Sequence, residues 1–118
     1  MEYMTFFENF TTALKQKWME YFQVNRSWIS MQMKVTGVET PDGGQRPPSY
    51  FILGAINALE PKLGNLMVPF YQLNSDADKL VEVLGLNFDP DMELAKRSEK
   101  SAKIKTQEAE ASRMLPDS

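Results

Sequence analysis

Two arginines are the side chains best equipped to hold a ligand. Before residue 91, Arg26 and Arg46 are the only arginines, and every other basic residue is a lysine. Each has an aromatic close behind it, in Asn25-Arg26-Ser27-Trp28 and in Gln45-Arg46-Pro47-Pro48-Ser49-Tyr50. A guanidinium offers a planar fork to phosphate oxygens or to guanine O6 and N7. Its flat face, like an aromatic ring, also stacks on a base. Gly43 and Gly44 let backbone approach a ligand closely, and Ser49 could contact a phosphate near a helix N-terminus. The candidate ligand-binding set is therefore Arg26, Trp28, Gly43, Gly44, Gln45, Arg46, Pro48, Ser49 and Tyr50. A plainer reading competes with it: Arg46 pairs with Glu39 or Asp42 on the surface, Arg-Pro-Pro-Ser simply opens a helix, and Trp28 belongs to the core.

Other chemistry finds little support. The chain has no histidine and no cysteine, which removes the commonest general base, the thiolate nucleophile and the usual zinc ligands. No catalytic residues and no metal ligands are assigned, and the chain is read as a non-enzyme. Gly-Gly-Gln-Arg at 43–46 is neither a Walker motif nor a dinucleotide fingerprint. Asp76 and Asp78 suit helix capping, since a calcium loop needs further oxygens at fixed spacing.

The elements that must carry these residues read as helices. Phe6, Phe10, Leu14, Trp18, Tyr21 and Phe22 recur at helical spacing, and predict a helix over Phe6 to Gln23. Asn25 or Ser27 suits the cap of a second helix from about Ser27 to Thr36, with Trp28, Met31 and Val35 on one side and Gly37 at its end. Pro41-Asp42-Gly43-Gly44 is a turn signal within an ordered loop from Val38 to Pro47, whose flanks alternate too little for a convincing hairpin. Pro47-Pro48 opens a third helix with Phe51, Ile52, Ala55, Ile56 and Leu59 on its buried face. Pro61 ends or kinks it, and Leu63, Leu66, Met67 and Phe70 continue an apolar stripe. Ser75 is placed to cap a further helix carrying Leu80, Val81 and Leu84, closed by Gly85.

The expected fold is all-α: a compact bundle of four to five short helices in residues 1–90, with one ordered Gly/Pro loop. Residues 91–118 have balanced charge and scattered apolar residues, and are expected as a mobile or partly helical polar tail. The net charge of −3 and pI near 5.0 argue against direct nucleic-acid binding. No basic n-region precedes an apolar stretch at the start, and the most apolar run, Tyr50 to Leu59, is about half a membrane span. A cytoplasmic protein with no membrane contact is the expectation. The wealth of Phe, Tyr, Trp and Met makes self-association plausible.

Four segments resemble a known family: Lys17 to Trp28, Arg46 to Gly54, Asn57 to Leu63, and Asn74 to Leu86. They are similar to a small cyanobacterial family that we associate with the cyclic-di-GMP receptor controlling cell size, and the likeness covers most of Phe6 to Pro90. The resemblance implies a receptor that binds cyclic-di-GMP at a homodimer interface and thereby loosens contact with a Crp-type transcription factor. No cofactor is implied beyond that ligand. On this reading Arg46→Ala weakens nucleotide binding and leaves the helical circular dichroism intact. The alternative is a helical protein–protein adaptor with no small-molecule ligand.

Overall fold

The computed structural model describes residues 2–114. In chain order it contains α1 (Glu2–Val24), α2 (Arg26–Thr36), β1 (Val38–Glu39), β2 (Gln45–Arg46), α3 (Ser49–Leu59), α4 (Pro61–Leu73), α5 (Ala77–Val83) and α6 (Pro90–Met114). The all-α class holds, with six helices and a two-stranded antiparallel ribbon among the described residues.

The stripe on α1 buries Leu14, Trp18 and Phe22 at a spacing of four, with Met19 beside them. The core continues through Ile52, Leu53 and Ile56 of α3, Leu63 of α4, and Val81, Leu84 and Leu86 around α5. Helix α3 packs against α1, α4 and α5 and is the centre of the molecule. Glu60 makes the sharp corner between α3 and α4. Its N–H donates to the Ile56 carbonyl, and its carboxylate accepts from Lys62 N and from Lys17 Nζ at 2.6 Å. Pro61 then takes the first position of α4, where a missing N–H costs nothing. Pro69 sits inside α4 rather than ending it.

The structure adds detail to the sequence reading at four places. The segment Val38 to Arg46 closes as a minimal hairpin, Val38 opposite Arg46 and Glu39 opposite Gln45. Strands this short leave no alternation to detect. Asp76, not Ser75, caps α5, accepting from the N–H groups of Asp78 and Lys79. Helix α2 turns Ile29 and Met33 to the core and leaves Trp28, Met31 and Val35 outside. The expected polar tail extends as one 25-residue helix, α6, started by Asp89, whose Oδ1 accepts from Asp91 N and Met92 N. Residues 115–118 of that expected tail lie outside the described residues.

Candidate functional site

The turn from Gly43 to Tyr50 is held from within. Gly43 takes φ 85°, the left-handed conformation that a side chain would resist, and its N–H donates to the Thr40 carbonyl. Gly44 lies against α6: a Cβ there would meet Asp89 Oδ2 at 2.2 Å and Met92 Sδ at 2.7 Å. Its small size serves this internal approach. Asp89 Oδ2 accepts from Gln45 N at 2.9 Å, while Asp89 N donates to Asp42 Oδ2 at 3.0 Å. The turn and the start of α6 thus clasp each other through reciprocal Asp bonds.

Arg46 is 2% exposed. Its Nε donates to Asn87 Oδ1 at 2.9 Å, its Nη1 to the Pro47 carbonyl at 3.0 Å, and its Nη2 lies 4.0 Å from Asp78 Oδ1. Burial lowers its pKa from the ordinary arginine value, and the Asp78 charge opposes that shift. Ser49 is buried and its hydroxyl donates to the same Asp78 carboxylate. Pro48 is half-buried at the cap position of α3, and Gln45 is exposed.

Arg26 lies at the surface and pairs with Asp91 Oδ1 at 2.7 Å. Trp28 donates through Nε1 to Asn25 Oδ1 and meets Phe51 edge-on at 5.4 Å between ring centres. Both arginines therefore converge on one segment, Asn87 to Asp91, with Asp89 between them. They are brought together, but to the protein's own carboxylates and amide. Sequence reasoning missed Asp78, Asn87, Asp89 and Asp91, which answer the arginines. One signal was available: Asp89-Pro90 is a cap residue followed by a first-turn proline.

Asp42 and Glu60 set an acid sensitivity. The Thr40 hydroxyl bond, and less strongly the Asp89 N–H, hold the Asp42 carboxyl below its ordinary pKa. The Lys17 bond does the same for Glu60. Their folded-state pKa values lie below the unfolded ones, so the stabilisation is complete above the ordinary carboxylate range. It is lost as pH falls through the folded values. Melting temperature measured from about pH 6 to pH 3 should fall, and Asp42→Asn should shallow that fall.

Tyr50 belongs to a different surface. From Pro47 to Ser75 the only charged residues are Glu60 and Lys62. Tyr50 is 73% exposed, Tyr71 60% and Leu73 85%, with Val68 and Val83 also largely exposed. Along α3 the outward ridge is Tyr50, Gly54 and Ala58. A groove of about 270 Å³ flanks it on the α4–α5 side, lined by Leu53, Asn57, Met67, Tyr71 and Leu80. A second, of about 390 Å³, lies on the α1 side and is lined by Tyr21, Phe51, Ala55 and Leu59. The described residues contain no cluster of three metal-ligating side chains. Nor do they include a helix long and apolar enough to cross a membrane.

No curated protein matches the chain, and no solved structure does. One family model matches residues 4–116, and so takes in α6 as well as the body. The chain belongs to that family, described as a family of unknown function (DUF5331).

Proposed function

We propose that this protein is a non-enzymatic docking module that binds another polypeptide through the face of α3, α4 and α5. The observation that carries this reading is the long stretch from Pro47 to Ser75, charged only at Glu60 and Lys62, with Tyr50, Val68, Tyr71 and Leu73 standing exposed on it. Isolated exposed apolar residues are ordinary, but a contiguous patch is a mark of an interaction surface. Interface cores are depleted of charge and enriched in tyrosine and methionine, which is the composition here.

A cyclic-di-GMP receptor acting on a Crp-type transcription factor is the second reading. Besides the resemblance, it is favoured by Arg26 and Trp28, which are both partly exposed at the start of α2. Against it stand the burial of Arg46 and the carboxylates of Asp78 and Asp91, which would repel a phosphate where the two arginines would have to receive it.

A photo-crosslinking amino acid at position 71, compared with one at Glu108 on exposed α6, separates the two readings in the cell. The docking reading expects one discrete protein adduct from position 71 and none from position 108. Isothermal calorimetry with cyclic-di-GMP is expected to show no saturable heat. A saturable heat, or no adduct from position 71, would replace this reading.

A further inference from the structure

We infer that the outer half of α6 binds an acidic helical segment of another protein through a lysine ladder, Lys96, Lys100 and Lys103. This contact is separate from the α3–α5 face and does not depend on it.

The first support is that these lysines have no counterpart in the protomer. Lys34 and Lys62 apart, every basic residue before α6 lies within 4.0 Å of a carboxylate. On α6 itself Arg97 pairs with Glu93 at 3.2 Å. Among the described residues, Lys96, Lys100, Lys103 and Lys105 make no ion pair and donate no side-chain hydrogen bond.

The second support is how the charge is laid out. Residues 96–105 hold Lys96, Arg97, Lys100, Lys103 and Lys105 against Glu99, a net of +4 in a chain whose net charge is −3. At about 100° of turn per residue, Lys96, Lys100 and Lys103 fall within an arc of about 60°. The side of α6 turned to α1 carries Leu94, Arg97, Ser98 and Ser101, so the ladder faces the opposite way, into solvent. Every residue from 98 to 111 is exposed. Like charges spaced i, i+4 and i, i+3 repel along a helix, so the ladder weakens the very helix that carries it. Nothing in the protomer offsets that repulsion. A row of carboxylates laid over the ladder removes it.

The dimensions then select the occupant. The basic stretch is about 14 Å long at a helical rise of about 1.5 Å per residue. Acids bracket it, Asp91 and Glu93 before and Glu108 and Glu110 after. A nucleic acid is charged along its whole length and would run past the stretch onto those carboxylates. A lipid surface needs an apolar face to enter it, and from 98 to 111 the one large apolar side chain is Ile104. A helix of two to three turns with Asp or Glu at i, i+4 and i+7 matches the ladder in length and in spacing. Glu108 lies beyond the ladder and about a third of a turn round from it, outside this contact.

Fluorescence anisotropy on the full chain tests this, with a labelled alanine-based helical peptide carrying glutamates at i, i+4 and i+7. Saturable binding is expected, weakening steeply as salt rises from about 0.05 M to about 0.5 M. Lys96→Gln, Lys100→Gln and Lys103→Gln made together should weaken it at least about tenfold. Helical circular dichroism should stay intact, because glutamine is nearly as good a helix former as lysine. Lys34→Gln with Lys62→Gln, which removes the two basic residues elsewhere that lack an ion pair, should leave binding unchanged. A double variant that weakens binding as much as the triple overturns the inference, because net charge alone would then explain it. So does the absence of saturable binding to the peptide. Tighter binding of a single-stranded oligonucleotide of about 20 nucleotides, or of phosphatidylserine vesicles, overturns it in favour of that partner.

Discussion

Trp18→Ala is expected to cost about 3–5 kcal/mol and to leave the chain largely unfolded near body temperature. Trp18 is fully buried on α1 and is the largest side chain in the core. Its ring lies 6.1 Å from Tyr21 and 6.4 Å from Phe22, both near parallel, and meets Phe51 edge-on at 6.3 Å. It thereby ties α1 to α3, and α3 in turn holds α4 and α5. Removing the indole leaves a cavity lined by rigid rings, which relax poorly into the space. A domain this small has a total stability near the low end of about 5–15 kcal/mol, so the loss is a large fraction of the whole.

Trp18→Phe separates packing from polarity. The Trp18 Nε1 has no hydrogen-bond partner although it is buried. Phenylalanine removes that unsatisfied donor and retains most of the ring, so its cost should be about 1–2 kcal/mol. Urea unfolding followed by circular dichroism measures both. An alanine variant no less stable than the phenylalanine variant would show that the core does not depend on this ring.

The part of the fold written in local pattern was legible. Leu14, Trp18 and Phe22 announced the buried face of α1, and Pro47-Pro48 announced the entry to α3. Helix α2 was not legible in the same way, because it carries two apolar stripes at compatible spacing. Periodicity says that both Ile29–Met33 and Trp28–Met31–Val35 form a side of one helix; it does not say which side meets the core. The structure decides it: Ile29 and Met33 are buried, and the larger side chains of the other stripe stay exposed. The start of α6 was written in Asp89-Pro90, but the mixed charge that follows concealed it. The candidate ligand site was the least legible. Two of its members are committed to partners that lie far off in sequence, Gln45 to Asp89 across 44 positions and Ser49 to Asp78 across 29. No short motif carries information about such closures.

Arg46→Ala is the substitution on which the two readings of the turn diverge most sharply. If Arg46 were a ligand group on the surface, its removal would abolish nucleotide binding and leave stability within about 0.5 kcal/mol of wild type. The geometry instead makes it a buried strut between the hairpin, α3 and the α5–α6 connection. Alanine leaves Asn87 Oδ1 and the Pro47 carbonyl without their donor, and empties the space of a long side chain that is 3% exposed. The Asp78 contact adds little, because that carboxylate is 72% exposed and its distance is 4.0 Å. Hydrogen bonds from a charged donor contribute about 1.5–3 kcal/mol each, with partial compensation by entering water, so the expected loss is about 2–3 kcal/mol. Arg46→Lys should recover only part of it, since an ammonium cannot reproduce the fork that reaches the side chain on one side and the carbonyl on the other. Denaturant titration of the three proteins gives the stabilities. Amide exchange should show faster opening at Gln45, Met92 and Glu93, where the clasp meets α6, before the α1 core responds. An alanine variant as stable as wild type would return Arg46 to the surface and restore the turn as a ligand site.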